Sequence, residues 1–481
     1  MRRVASGGNV PGVTRLPFIR PVSVVGALAA GALALTVLPA VAVDPGTTGA
    51  DTLFPTSGNS GYDVKRYDVD LDYTPASNQL AAVTTVTAVA TKALSSFHLD
   101  LEGLDVSDVE VGGQTAEFSR DGSELIIAPA AAIAKGATFR TVVTYGGTPS
   151  VHTDPDGSDE GWVPTSSGDG AVALGEPVGT AAWIPSDNTP SDKAKLAVTI
   201  TVPNGTQAIS NGRLVSRTKV GDTRTRYAWR SDAPISTYLA MVAIGRFSIT
   251  RDTYRSVDGR RIRILNAVDT ANGGSSAAID KLPAVLKAEE GWFGPYPFAD
   301  AGGVVDDAAV GYALETQTRP FYPTDGPSLG TVVHETAHQW FGDSVSLTDW
   351  HDIWLNEGFA TYAEWLWSGS HGGLTPAQHF TRLYATPASS GLWSPAPRTF
   401  TDAADLFGSP VYNRGALTLQ ALREKIGTRD FFTVLRTWAR MHRHGNVRNA
   451  QFVKLAEKVS GRRLDRFFHV WLEVPRKPQG Y

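Results

Sequence analysis

Hydrophobic and polar positions alternate with period two through much of the first half of the chain. "YDVKRYDVDLDY" from Tyr62, "AAVTTVTAVAT", "FHLDLEGLDVSDVEV", "ELIIAP" and "TFRTVVTYGG" all read this way. Such alternation puts one face of a strand in the core and the other in water. A loop dense in Pro, Gly, Ser and Asp follows, "PSVHTDPDGSDEGWVPTSSGDG". Strands then return with "AKLAVTITVP", "RTRYAWRS" and "YLAMVAIGRFSIT". Residues 62–250 are therefore expected to form one all-β domain of sheets or a sandwich.

Past Arg260 the spacing becomes helical. "SSAAIDKLPAVLKAEEGWFG" has apolar positions three and four apart and stops at Gly and Pro. "SLGTVVHETAHQWFG", "WLNEGFATYAEWLWSGS" and "VYNRGALTLQALREKIG" predict further helices. "FFTVLRTWARMH", "NAQFVKLAEKVSG" and "LDRFFHVWLE" complete a helical C-terminal half. The expected fold class is α+β and multidomain, with an all-β domain followed by a mostly helical domain over 251–481. No repeat of fixed period runs through it.

The first residues follow a different logic. Residues 1–21 are basic, Val22 to Leu38 form an apolar run, and Ala40-Val41-Ala42 is a small-x-small cleavage signal. That is the layout of a secretory signal peptide over 1–42, with mature protein beginning near Val43. The apolar run also approaches the lower limit for spanning a bilayer, so a retained membrane anchor is the alternative. Arg2-Arg3 alone does not make a twin-arginine signal. Residues 43–61, polar and rich in Gly, Thr and Ser, read as a flexible leader.

Composition narrows the class. With 481 residues the chain is too long for one ordinary core, and 42% hydrophobic with 19% charged residues is a globular balance. The net charge is −4, and the four arginines of the first 42 residues make the remainder more acidic still. An acidic body without a basic stripe argues against a nucleic-acid partner. There is no cysteine, so neither disulfides nor a lipoprotein anchor contributes. Oligomeric state is left open.

The candidate chemistry lies in "VVHETAHQWFGD", Val332 to Asp343. Histidines four apart on a helix share a face, so the imidazoles of His334 and His338 can reach one ion. A catalytic zinc takes three protein ligands and keeps a fourth position for water. Glu357, with eighteen residues between it and His338 and opening the next helix, is the expected third ligand. No Gly and His follow His338 at the offsets of a metzincin, and two histidines with a carboxylate make a gluzincin. In such a site Zn2+, one per chain, polarises a carbonyl and acidifies a water. Glu335, beside the first ligand, is placed to take and return the proton. Glu364, two turns past Glu357, is either the acceptor that orients a ligating histidine or an ordinary surface carboxylate.

The block "HETAHQWFGDSVSLTDWHDIWLNEGFATYAEW" resembles the zinc-binding block of the aminopeptidase N-like gluzincin metallopeptidases. "VYNRGALTLQALREKIG" is similar to that family's Tyr-x-Lys-Gly-Ala helix, with Arg414 in place of Lys. "EPVGTAAWIPSDNTPSDKAKLAVTITVP", "ISNG", "PISTYLA" and "WFGPYPF" fit in order, so the resemblance runs from Tyr62 to Leu472. It implies a saddle-like β domain on a thermolysin-like catalytic domain. It also implies that the Tyr412 hydroxyl stabilises the oxyanion of an attacked carbonyl.

The resemblance bears on where a peptide would be cut. Glu315 in "GYALETQTRPFY" stands in the family's Gly-x-Met-Glu-Asn loop, and Glu176 in "GEPVG" matches the carboxylate or amide contributed by the β domain. Both would hold the ammonium of a free N-terminus, so the expected partners are peptides with that end unblocked. Leu314 for Met, Thr316 for Asn and Tyr312 for a small residue are departures that bear on the first-residue pocket. Many relatives carry a further helical domain over the active site, while this sequence stops soon after "FFHVWLEVPRKPQGY". A more open cleft, or cover from a partner chain, is the expectation. The implied activity is a secreted zinc aminopeptidase. A thermolysin-type endopeptidase would need Glu176 and Glu315 to be structural only, and an epoxide hydrolase has no dedicated feature here. An inactive binding module conflicts with the intact set of His334, Glu335, His338, Glu357 and Tyr412.

Overall fold

The computed structural model describes residues 51–270, 275, 277–323 and 325–479. The expected signal segment 1–42 and the first part of the leader, 43–50, lie outside the described residues. An eight-stranded sheet has the antiparallel pair Tyr62–Thr74 and Gln79–Ala90 at its centre, and Tyr62–Thr74 runs parallel to Lys193–Pro203 on its other side. The alternation of "YDVKRYDVDLDY" breaks at Lys65-Arg66, and the register shifts there by a bulge between Val64 and Arg66. The bulge lets Val64, Tyr67, Val69, Leu71 and Tyr73 all bury.

A five-stranded sheet carries the chain toward the second half of the molecule. Its order is Gln207–Ser210, Val242–Gly245, Ala171–Leu174, Asp159–Pro164, Val151–Thr153. Ala171–Leu174 lies near its middle, buried on both faces, and runs directly into Gly175 and Glu176. The change to the next sheet falls at Arg246.

The C-terminal half is less purely helical than its spacing predicts. Phe247–Arg255, Arg261–Asp269, Asp300–Asp306 and Phe321–Pro323 form a four-stranded sheet whose last two pairings are parallel. Helices α1 (Leu282–Phe293), α2 (Leu329–His338), α3 (Trp354–Ser370) and α4 (Pro376–Tyr384) follow the expected order, α4 being additional. They are joined by α5 (Gly415–Ile426), α6 (Thr428–Met441), α7 (Asn449–Ser460) and α8 (Asp465–Leu472). Among the described residues no helix is long and apolar enough to cross a membrane.

The flexible-leader reading needs correction from Asp51 onward. The Asp51 carboxylate accepts from the Trp350 amide at 2.7 Å and from Leu53 at 2.8 Å, and Phe54 sits edge-on to Trp350. The Asn59 amide donates to Asp187 at 2.6 Å. Polar side chains here satisfy buried backbone groups, so polarity does not mean solvation.

The β half and the helical half share a continuous hydrogen-bonded seam. The Lys193 ammonium donates to the Asp343 and Ser344 carbonyls and to Ser346 Oγ, and burial pushes its pKa down to about 7. Asn211 donates to the Gln317 carbonyl at 2.8 Å, and the Gly212 amide to Thr318 Oγ1 at 2.8 Å. Arg319, fully buried, reaches the carbonyls of Ser210, Gly212 and Leu265, with its guanidinium 5.1 Å from the Trp229 ring. These bonds fix the loop that bears Glu315 against the β domain.

Helix α3 crosses the start of α5 at two glycines. A Cβ on Gly358 would stand 2.9 Å from Gly415 Cα, which no side chain tolerates without movement. Gly358→Ala is expected to cost about 1–3 kcal/mol by overpacking. A melt matching the parent protein's would show that the crossing relaxes freely.

Candidate active site

Helix α2 begins at Ser328, whose hydroxyl accepts from the Thr331 amide. It ends at His338, so His334 and His338 both fall on its cleft-facing stripe, with ring centroids 4.8 Å apart. Glu357 enters from the first turn of α3 and is almost wholly buried. Its Oε2 lies 3.1 Å from His334 Nε2 and 3.4 Å from His338 Nε2. The other ring nitrogens are occupied: His334 Nδ1 meets Glu364 Oε1 at 2.7 Å, and His338 Nδ1 meets the Phe341 carbonyl at 3.1 Å. Both imidazoles are thus oriented with Nε2 toward one point, each braced from behind. Of the two readings of Glu364, the geometry favours the acceptor.

This donor set fits zinc. One ligand atom from each of His334, His338 and Glu357 lies within 4.8 Å of the others, and two imidazoles with one carboxylate are ligands zinc accepts. The electrostatics agree. Burial works against the Glu357 carboxylate, yet His338 and His334 hold it down to about 2. Burial likewise opposes charge on His338, while Glu357 and Glu315 hold it up to about 9. Burial pushes Glu335 up to about 8, with the histidines opposing and Glu315 and Glu357 adding to the rise. Three carboxylates around two imidazoles make a place that favours a cation.

Glu315 and Glu176 come to the same point from different elements. Glu315 is held in place by its carbonyl, which accepts from Gln339 Nε2 at 3.0 Å. Its Oε1 lies 3.8 Å from His338 Nδ1. Glu176 extends from the buried strand Ala171–Leu174. One oxygen each from Glu176, Glu315 and Glu357 lies within 4.8 Å of the others. Glu176 Oε1 and Glu315 Oε1 are buried and receive no donor from another residue, the two carboxyls lying within hydrogen-bond reach of each other. Burial raises Glu176 well above the usual carboxylate range, and the charges of Glu315 and Glu357 raise it further.

Tyr412 lies in a π-helical turn, Pro410–Arg414, immediately before α5. The wide turn interrupts the regular face and sends the ring over His334, at 6.0 Å and nearly parallel. Burial, then Glu357 and Glu176, push its phenol well above its ordinary value, so it remains a donor. Arg414, where the resemblance has lysine, is fully buried and donates to the carbonyls of Trp393, Val470, Trp471 and Val474. Four acceptors spread around one head suit a planar guanidinium, whereas an ammonium has three donors.

These residues line a cleft of about 360 Å³. Of the departures from the family loop, Thr316 turns inward and donates to the Arg319 carbonyl at 2.7 Å. Tyr312 does line the cleft, and its hydroxyl donates to the Asp159 carbonyl at 2.8 Å. Asp156 and Ser158 also reach the cleft wall, together with Phe407. Sequence reading missed all three, since Asp156 and Ser158 sit in a stretch whose Pro, Gly and Ser content signals only a loop.

Comparison with known proteins identifies a family. The M1 N-terminal domain model matches residues 64–239, and the peptidase family M1 domain model matches 327–471. Aminopeptidase M1-D of Oryza sativa subsp. japonica is 26% identical over 336 residues, 65% of this chain and 37% of that protein. Tricorn protease-interacting factor F2 of Thermoplasma acidophilum is 24% identical over 326 residues, 62% of this chain and 40% of that protein. The chain thus spans about two fifths of the length of these curated relatives. Among solved structures, an M1 zinc metallopeptidase of Deinococcus radiodurans superposes with a TM-score of 0.80 at 28% identity, covering 90% of this chain and all of that one. A glutamate-to-alanine mutant of that enzyme with a Tyr-Ser-Ala substrate gives 0.81, over 90% of this chain and 99% of the other. With both domain models matched in order along one polypeptide and the same two-part fold in its structural neighbours, the chain belongs to peptidase family M1.

Proposed function

We propose that the protein is a zinc aminopeptidase that removes the first residue from peptides with a free N-terminus. The observation that carries this is the meeting of Glu176 and Glu315 beside Glu357, each keeping a buried oxygen without a hydrogen-bond donor. Buried carboxylates crowded together are costly unless a cation completes them. A substrate ammonium is such a cation, and two of its three donors can meet the free oxygens of Glu176 and Glu315. An internal segment of a long chain brings no charge to that point.

His334, His338 and Glu357 would hold the metal, which when bound supplies Lewis acidity to the scissile carbonyl and to a water. Glu335, kept by burial a stronger base than an exposed glutamate, takes the proton of the attacking water and returns it to the leaving amine. Tyr412 donates its hydroxyl to the charge developing on the carbonyl oxygen. Glu364 fixes the His334 ring through Nδ1. The basic, apolar and small-residue succession ending at Ala42 supports export of the enzyme.

The test is a panel of aminoacyl-coumarin amides, the same compounds acetylated, and one internally quenched peptide blocked at its N-terminus. Free amines are expected to be cleaved, and acetylated ones roughly a hundredfold or more slower, as befits loss of a buried charge-assisted contact. Glu315→Gln should erode the same discrimination by raising KM for free amines. Comparable cleavage of the blocked peptide would make the enzyme an endopeptidase and end the roles given to Glu176 and Glu315.

A further inference from the structure

A second cluster of metal-ligating side chains lies in the β domain, outside the catalytic set. The hairpin of Val151–Thr153 and Asp159–Pro164 pairs His152 directly with Glu160. Cross-strand partners share a face, and residues two apart in a strand share it too. Asp154, two beyond His152, therefore joins that face as the chain turns, and Gly157 in the left-handed region closes the turn onto the Asp154 carbonyl. One ligand atom from each of His152, Asp154 and Glu160 lies within 4.8 Å of the others.

The satisfaction of these groups is lopsided. The Asp154 side chain is only 3% exposed, and neither its oxygens nor the buried Glu160 Oε2 receives a donor from another residue, the two carboxyls facing each other within hydrogen-bond reach. Glu160 Oε1 is anchored by the Val178 amide at 3.0 Å. His152 Nδ1 meets Glu102 Oε2 at 2.8 Å, leaving Nε2 facing Asp154 at 3.8 Å. This repeats the design at the catalytic centre, where a glutamate holds Nδ1 of His334 at 2.7 Å. A carboxylate behind an imidazole orients the ring and strengthens it as a ligand. A cleft of about 360 Å³, lined by Glu102, His152 and Asp154, opens the cluster to solvent.

We propose that His152, Asp154 and Glu160 bind a second divalent transition cation, Zn2+ or Mn2+, oriented by Glu102. One imidazole with two carboxylates is a donor set for such ions rather than for Ca2+, which takes oxygen ligands alone. The cation supplies what Asp154 and Glu160 lack. The site also has a structural consequence. Asp156 and Ser158 of the same hairpin line the active-site cleft, the Asp159 carbonyl receives the Tyr312 hydroxyl, and Val178 lies two residues past Glu176. A cation here staples the rim of the cleft to the segment bearing Glu176. The inference does not depend on the peptidase reading.

The experiment is metal analysis by mass spectrometry on protein stripped with a chelator and dialysed against Zn2+, and in parallel Mn2+. Two equivalents per chain are expected in the parent protein. His152→Ala and Asp154→Asn should each lose one, and His338→Ala should lose the other. Calorimetric titration of the His338→Ala protein should show one remaining site that disappears when Asp154→Asn is added. One equivalent in the parent protein with both metals would overturn the site, independently of how any variant folds. Two equivalents retained in both His152→Ala and Asp154→Asn would place the second ion elsewhere and overturn it as well.

Discussion

Glu335→Gln is expected to lower kcat by roughly a hundred- to ten-thousandfold, the range of a general base removed from proton transfer, while leaving the catalytic metal bound. The prediction separates chemistry from metal retention because Glu335 is not one of the His334, His338 and Glu357 set, although it also lies within 4.8 Å of ligand atoms of His338 and Glu315. His334, His338 and Glu357 meet one another at 3.1 and 3.4 Å without help from Glu335. Glutamine keeps the volume and the buried position but has no basic oxygen. The metal content, measured on the same sample, should match that of the parent, and KM for a good substrate should change little. Loss of metal would make the glutamate a ligand or its support. A kcat within tenfold of the parent would move the base elsewhere, with Glu315 the next carboxylate to consider.

The catalytic helix pair was legible in the sequence because its chemistry depends on local periodicity. Residues four apart on a helix must share a face, so His334 and His338 announce themselves, and the helix opening at Trp354 offers Glu357 at a distance a turn can bridge. Glu176 and Glu315 were legible only through resemblance, since their convergence is a product of the tertiary seam around Arg319 and Asn211. No local pattern encodes that seam. The sheet in the catalytic half was missed for a related reason. Asp300–Asp306 is buried at every position, so it shows no alternation, and its Gly302 packs where a Cβ would stand 1.8 Å from the Leu265 carbonyl. A fully buried parallel strand with glycines reads as neither strand nor helix.

Hydropathy misled in the opposite direction where polar side chains serve buried backbone. Asp51 and Asn59 lie in a segment with the composition of a linker, yet Asp51 accepts from the Trp350 amide and Asn59 donates its own amide to Asp187, both inside the fold. Asp154 and Glu160 sit in the Pro, Gly and Ser-rich loop and are buried all the same. Composition records what residues prefer on average, whereas hydrogen bonds and ions decide what a particular carboxylate tolerates. Loops of this kind are where binding groups concentrate on a rigid scaffold.

Tyr412→Phe is expected to lower kcat by roughly a hundred- to a thousandfold, the cost of deleting one preorganised oxyanion donor, with KM nearly unchanged. Phenylalanine preserves the ring stacked 6.0 Å from His334 and the turn that positions it, so only the hydroxyl is lost. Burial, with the surrounding carboxylates adding to it, keeps that hydroxyl protonated, its pKa lying well above the ordinary phenol. The loss should therefore not be recovered by changing pH between 6 and 9. A phosphinate analogue of the tetrahedral state should bind more weakly to the variant in proportion to the fall in kcat, because the donor acts where charge develops. Binding of a free amino acid product should be unaffected. A rise in KM at constant kcat would instead make Tyr412 a wall of the first-residue pocket, and the oxyanion donor would have to be sought among other groups facing the scissile carbonyl.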